Sequence, residues 1–261
     1  MPIGTCPLCR RTEQPLQESH YLPAALYSPR RKMRQYRTRN STGIMETDLR
    51  EYLLCQECET RFNKMGESYV LNLIAAKANR FPLREKLHVA LARDIGDGSA
   101  PRFSGEDIGL DMDKFAYFAL SVVWRGAVHQ WMNADGTLMA PSRLGDFEES
   151  MRQFLAGEAA FPSNMVVIVA VASDNESRRI FSFPEAAVLD GCLNFRFFAR
   201  GIFFRVMMGH VPRMFYDWCC TSPRKCIFYG DGSRRAAELF AGVEELTRKG
   251  ESSDGARENR P

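Results

Sequence analysis

Two Cys-x-x-Cys pairs constrain this chain more than any other feature. Cys6-Pro7-Leu8-Cys9 and Cys55-Gln56-Glu57-Cys58 each set two thiols two residues apart, so that one tight turn can present both sulfurs to a single ion. Four thiolates satisfy the tetrahedral preference of zinc and leave no position open for water, which makes such a site structural. The first pair reads as a knuckle. The second follows Leu53 and Leu54 and leads into a helix-compatible stretch, Glu59 to Met65. The 45 residues between Cys9 and Cys55 exceed what a compact finger holds, so they are expected to form a hairpin and a long loop. Redox-active dithiols are the first alternative, but neither pair has a thioredoxin-like strand–helix context. Unrelated buried cysteines are the second, and two independent pairs make that a poor account.

Composition sets the frame around this site. A chain of 261 residues, 45% hydrophobic and 26% charged, is of ordinary globular type and long enough for a small domain plus a larger one. The sequence offers no apolar run of roughly 18 residues, so no membrane span is expected. Its first residues, MPIGTCPLCRR, lack a signal-peptide core, so a cytoplasmic location is expected, where close cysteine spacings indicate metal ligation. Cys192, Cys219, Cys220 and Cys226 form a looser group; adjacent cysteines point apart, and buried free thiols are the better reading. A net charge of +3 does not by itself indicate nucleic acid. Its distribution says more, because Arg30, Arg31, Lys32, Arg34, Arg37 and Arg39 follow one another with no acidic residue among them. They read either as a solvated loop or as a phosphate-contacting strip, with Tyr27 and Tyr36 available to stack beside it.

A knuckle followed by a second pair at the start of a helix describes a treble clef. The expected fold is therefore α+β: a small N-terminal treble-clef zinc domain (1–66), a helical connector and loop (67–109), and a larger mixed helix and antiparallel-sheet region (110–247). A polar, charge-rich tail (248–261) is expected to be disordered. Such a small zinc domain has so little core that it depends on the metal for folding. Within the larger region, helices are expected over Asp111–Trp131, Arg143–Leu155 (ended near Gly157) and Arg234–Thr247. The β-branched run Met165–Ala172 has the character of a central strand. Further strands are expected over Arg179–Phe183, Leu193–Ala199 and Ile202–Met207, with Gly201 at a hairpin turn. Phe195, Phe197, Phe198, Phe203 and Phe204 are expected to fill a sheet face. Nothing in 110–247 forms a recognisable catalytic set, so it reads as a scaffold or a binding domain.

The segments CPLC, SHYLP (Ser19 to Pro23) and LLCQEC occur in an order that resembles the HNH, or His-Me finger, nucleases. The resemblance covers residues 6–65. It implies that His20 is a general base activating water, and that Glu59 and Asn63, four residues apart on one helix, help to hold Mg2+ or Mn2+. Ser19 stands where that family commonly has an acidic residue, Glu59 where it usually has histidine or asparagine, and the family's middle asparagine has no clear counterpart. The whole chain is also similar to a group of uncharacterised bacterial proteins. They share the knuckle, Ser-His-x-x-Pro, Leu-Leu-Cys-x-x-Cys-Glu and an aromatic helix ending near Ser-x-x-Trp-Arg, here Ser121 to Arg125. Three readings follow: a zinc-containing protein that acts on nucleic acid as a divalent-metal-dependent endonuclease, a non-catalytic zinc module that binds nucleic acid or protein, or a purely structural zinc domain that caps the larger fold. In the second, His20 packs beside the knuckle. The sequence does not indicate an oligomeric state.

Overall fold

A computed structural model describes residues 1–27, 48–74, 80–91, 102–132, 136–139, 142–175, 177–189 and 191–230, and the backbone of 34–37 and 41–44. The described strands are β1 (Ile3–Gly4), β2 (Gln14–His20), β3 (Arg34–Arg37), β4 (Ser41–Ile44), β5 (Arg50–Cys55), β6 (Arg102–Ser104), β7 (Met165–Ala172), β8 (Ile180–Phe181), β9 (Glu185–Leu189), β10 (Cys192–Ala199), β11 (Ile202–Gly209) and β12 (Cys226–Gly230). The described helices of more than one short turn are α1 (Gln56–Phe62), α2 (Ser68–Leu73), α3 (Pro82–Leu91), α4 (Met112–Val128), α5 (Phe147–Ala156) and α6 (Met214–Trp218). The chain is a mixed α+β fold with two sheets. A small sheet has the order β1-β2-β5; the large one runs β4-β3-β8-β10-β11-β7-β12-β6, with β9 beside β10. No described helix is long and apolar enough to cross a membrane.

Helix α4 explains how the parts join. It is apolar over most of its surface, and Met112 through Gly126 include thirteen buried residues, which marks a helix with neighbours on nearly all sides. Asp111 caps its start by accepting from the Lys114 N–H at 3.3 Å. On one side Phe118 meets Phe204 and Phe197 of the large sheet, with ring centroids at 5.2 and 6.3 Å. On the other, Phe62 of α1 meets Trp124 and Tyr117 at 6.0 and 5.9 Å. One continuous cluster of buried side chains therefore runs from Cys6 and Leu8 through Phe62 and Trp124 to Phe197 and Tyr229. The boundary expected at residue 66 does not separate two cores.

The β-branched run is the strand expected, Met165–Ala172, buried on both faces between antiparallel β11 and parallel β12. The β10–β11 hairpin turns on Arg200 and Gly201, both at positive φ, as a two-residue turn of matching twist requires. The large region is a mixed rather than purely antiparallel sheet, since β3/β8 and β7/β12 pair in parallel. The five phenylalanines divide between faces: Phe197 pairs with Phe204 and Phe198 with Phe203, and consecutive residues of a strand point opposite ways. Helix α4 stops at Val128 rather than Trp131, because His129 is extended and returns the Trp131 indole to donate to the Arg125 carbonyl at 2.8 Å. Helix α5 begins at Phe147, later than expected, and ends at Gly157 with φ +77°. The expected helix over 234–247, the tail 248–261 and part of the 94–109 loop lie outside the described residues.

Helices α1 and α2 are one rod, joined by a single π-turn over Asn63–Glu67. Gly66 lies in that turn and touches α4: a Cβ there would sit 2.8 Å from the Phe118 backbone nitrogen and 3.0 Å from its Cα. Backbone in a buried helix cannot swing aside. Gly66→Ala is therefore expected to force the two helices apart and cost about 1–3 kcal/mol, visible as a lower chemical-denaturation midpoint. An unchanged midpoint would mean that the two helices part at this contact without cost.

Candidate metal centre and the network beside it

The small sheet brings the two cysteine pairs together. Strand β1 pairs with β2 and β2 with β5, so the knuckle and the β5–α1 junction meet at one end. The knuckle closes through the Arg10 N–H donating to the Cys6 carbonyl at 2.8 Å, with Arg10 at φ 59° to complete the turn. Cys55 is the last residue of β5 and the N-cap of α1, and Cys58 lies in that helix's first turn. Metal-ligating atoms of Cys6, Cys9, Cys55 and Cys58 all lie within 4.8 Å of one another. The Cys9 and Cys55 sulfurs are 3.8 Å apart, close to the edge of roughly 3.8 Å that a tetrahedron with Zn–S bonds near 2.3 Å demands. The group is suited to a structural Zn2+. It is the only such metal-competent group among the described residues.

Electrostatics point the same way. The Cys58 thiol, hydrogen-bonded to Cys6, draws the Cys6 thiol down to about 4 against the opposing effect of burial, while the same contact pushes Cys58 up. Without a cation the sulfurs must share protons; a dication allows all four to ionise together. Around them, Arg11 donates from Nε to the Cys9 sulfur at 3.5 Å and pairs with Glu57. Buried Arg152 of α5 donates to the Leu8 carbonyl at 2.7 Å, tying the knuckle to the core. Cys192, Cys219, Cys220 and Cys226 are buried free thiols outside the set.

The ladder between β2 and β5 has a bulge: Gln17 pairs with Leu54 and Glu18 with Tyr52, which leaves Leu53 of β5 as the extra residue, while β2 goes on alternating its faces. Ser19 is fully buried, and Tyr21 is stacked between Trp131 and Phe183, each ring centroid at 4.9 Å. Between them His20 stays partly open, its side chain 27% exposed, and its Nε2 lies 2.8 Å from an Asp48 carboxylate oxygen. Ser19 Oγ donates to Glu59 and accepts from the Leu54 N–H at 3.2 Å. The other face of Glu59 meets Arg125 at 3.8 Å, and Arg125 is bound at 2.5 Å by Glu67 and stacked over Phe62 at 4.7 Å. Burial pushes the Glu59 carboxyl up, with Arg125 opposing it. Burial also works against the Arg125 charge, but Glu67 and Glu59 together hold it.

The residues assigned by resemblance are thus placed differently from one another. His20 gains a carboxylate partner, Asp48, which the sequence reading missed. Glu59 turns inward to Ser19 and Arg125. Asn63 is exposed and accepts from the Ser68 hydroxyl at 2.7 Å. The helix does not present Glu59 and Asn63 as a joint oxygen pair open to an ion. Of the basic strip, Arg30, Arg31, Lys32 and Arg39 lie outside the described residues; Arg34 and Arg37 begin and end β3, whose side chains are not described. The signal for Asp48 was pairing: β2 and β5 run antiparallel with His20 opposite Arg50, which sets residue 48 just past the end of the ladder. No family model, curated protein or solved structure matches this chain, so the thiolate cluster and the residues packed against it carry the functional argument alone.

Proposed function

We propose that this protein acts on nucleic acid through an HNH-like, treble-clef zinc module in residues 1–66, with His20 as a general base at a phosphodiester. One observation carries the reading: a partly exposed imidazole at the end of strand β2, beside the strand that leads to the second cysteine pair, held by a carboxylate. Asp48 on Nε2 fixes the ring and favours the imidazolium that forms when the other nitrogen takes a proton from water. The positions 30–39 between the cysteine pairs supply the cationic strip for the phosphate backbone. A divalent ion such as Mg2+ or Mn2+, when bound, would stabilise charge on the phosphate. Glu59 and Asn63 do not fit that task as placed here, and no step is assigned to them.

Glu59's engagement with Ser19 and Arg125 favours a second reading, a non-catalytic zinc module that binds nucleic acid or a protein partner. The two separate in one assay. Purified protein with Mg2+ or Mn2+ is expected to nick single- or double-stranded DNA or RNA, and His20→Ala to abolish nicking. Asp48→Asn is expected to slow it by about 100-fold while leaving salt-sensitive binding in place. Wild type and His20→Ala that bind alike and cut nothing would leave the binding module as the function. Replacing Arg34 and Arg37 weakens binding in either case.

A further inference from the structure

The face of the large sheet turned away from α4 carries a polar row that the zinc module does not use. Glu185 of β9 lies opposite Arg196 of β10, and Arg196 lies opposite Arg205 of β11. Asn194, two residues before Arg196 and so on the same face, accepts from Arg205 Nε at 3.0 Å. Glu185 is 4% and Asn194 1% exposed. Yet both Glu185 carboxylate oxygens, Asn194 Nδ2 and Arg196 Nε have no hydrogen-bond partner. Buried donors and acceptors left unmade are among the costliest arrangements in a fold, and each calls for an account. Like charges directly opposite on adjacent strands add repulsion, and one carboxylate compensates only one of the two guanidiniums.

The unmade set is two acceptors and two donors, with a surplus positive charge. A simple anion satisfies the donors and leaves Glu185 unpaired; an amine does the reverse. A carboxylate and an ammonium on one small molecule answer both. We propose that Glu185, Asn194, Arg196 and Arg205 form a binding site for a small zwitterion of the α-amino-acid type. Its carboxylate meets Arg196 and Asn194 Nδ2, and its ammonium meets Glu185. Arg196 and Arg205 are only half-buried, so their guanidinium ends form the entrance. Phe215, 5.2 Å beneath the Arg205 guanidinium, borders the row on its apolar side. Burial moves the Glu185 carboxyl up to about 7, against the pull of Arg196, so the test belongs above that value.

The full chain would be titrated at about pH 8 with the proteinogenic amino acids one at a time, and with acetate and methylammonium, reading the unfolding temperature. At least one amino acid is expected to raise it saturably, and neither half-molecule to do so. Glu185→Gln and Arg196→Gln are expected to weaken that binding by about tenfold or more each. Should Arg196→Gln fail to fold, Arg196→Lys keeps the charge, removes Nε and reads the same loss. No shift with any amino acid overturns the proposal. An equal shift with acetate overturns it too, by reducing the row to an anion site, and so does affinity unchanged in the variants.

Discussion

Cys58→Ser is expected to leave a chain that holds no stoichiometric zinc and no longer unfolds in one cooperative step. Zinc at a four-thiolate site of a small finger is worth about 10–16 kcal/mol near neutral pH, against about 5–15 kcal/mol for a whole domain. The loss is therefore comparable to the whole stability it is taken from, or exceeds it. It also spreads, because Leu8, Leu54 and Phe62, which flank or follow the cysteine pairs, belong to the same buried cluster as Trp124 and Phe197. Metal analysis together with calorimetry checks this. Cys219→Ser, outside the set, should keep its zinc. Wild type purified without zinc, or Cys58→Ser with an unchanged transition, would remove the metal centre from the account.

Arg125→Met should lose about 3–5 kcal/mol of stability, the usual result of deleting one side of a buried ion pair. Arg125 is 1% exposed, and its removal leaves Glu67 and the inward-turned Glu59 with no cation. The methionine replaces much of the packing over Phe62, so the deficit reports charge more than volume. Its pH dependence has a definite sign. A carboxyl whose pKa rises in the folded state contributes most below its unfolded value, 4.5 for Glu59, and less as pH climbs through the folded one; Arg125 holds that rise down, so deleting it steepens the loss of stability with pH. The deficit should therefore be smaller at about pH 5 than at about pH 8. Adding Glu59→Gln and Glu67→Leu should recover part of it. Denaturant titrations in which Arg125→Met matches wild type at both pH values would mean that the guanidinium is not the counter-charge of this network.

What the sequence made legible follows from the range of each interaction. Cysteine spacing disclosed the four-thiol cluster because each pair is local and a tetrahedral ion tolerates few other arrangements. Hydrophobic pattern disclosed α4, β7 and the β10–β11 hairpin, since burial on all sides or a two-residue turn leaves a mark within a dozen positions. The direction of Glu59 left no such mark. Its fate depends on Arg125, on another helix, and on Ser19 of strand β2, which turns inward to meet it. Asp48 escaped notice for a similar reason, being brought to His20 by strand register. Strands β9 and β12 are too short to stand out by period and exist because a neighbour offers an edge.

The hairpin between the cysteine pairs has a further consequence for the order of assembly. Its strand β3 leaves the metal module and pairs with β8, more than a hundred residues downstream. Capturing the ion closes a moderate loop, which costs little chain entropy, whereas docking β3 waits for distant parts of the chain to form. A newly made chain can thus be metallated before the sheet that will receive its hairpin exists. Until β8 arrives, β3 lacks its partner on that edge, and an unpaired strand edge is where another chain can add.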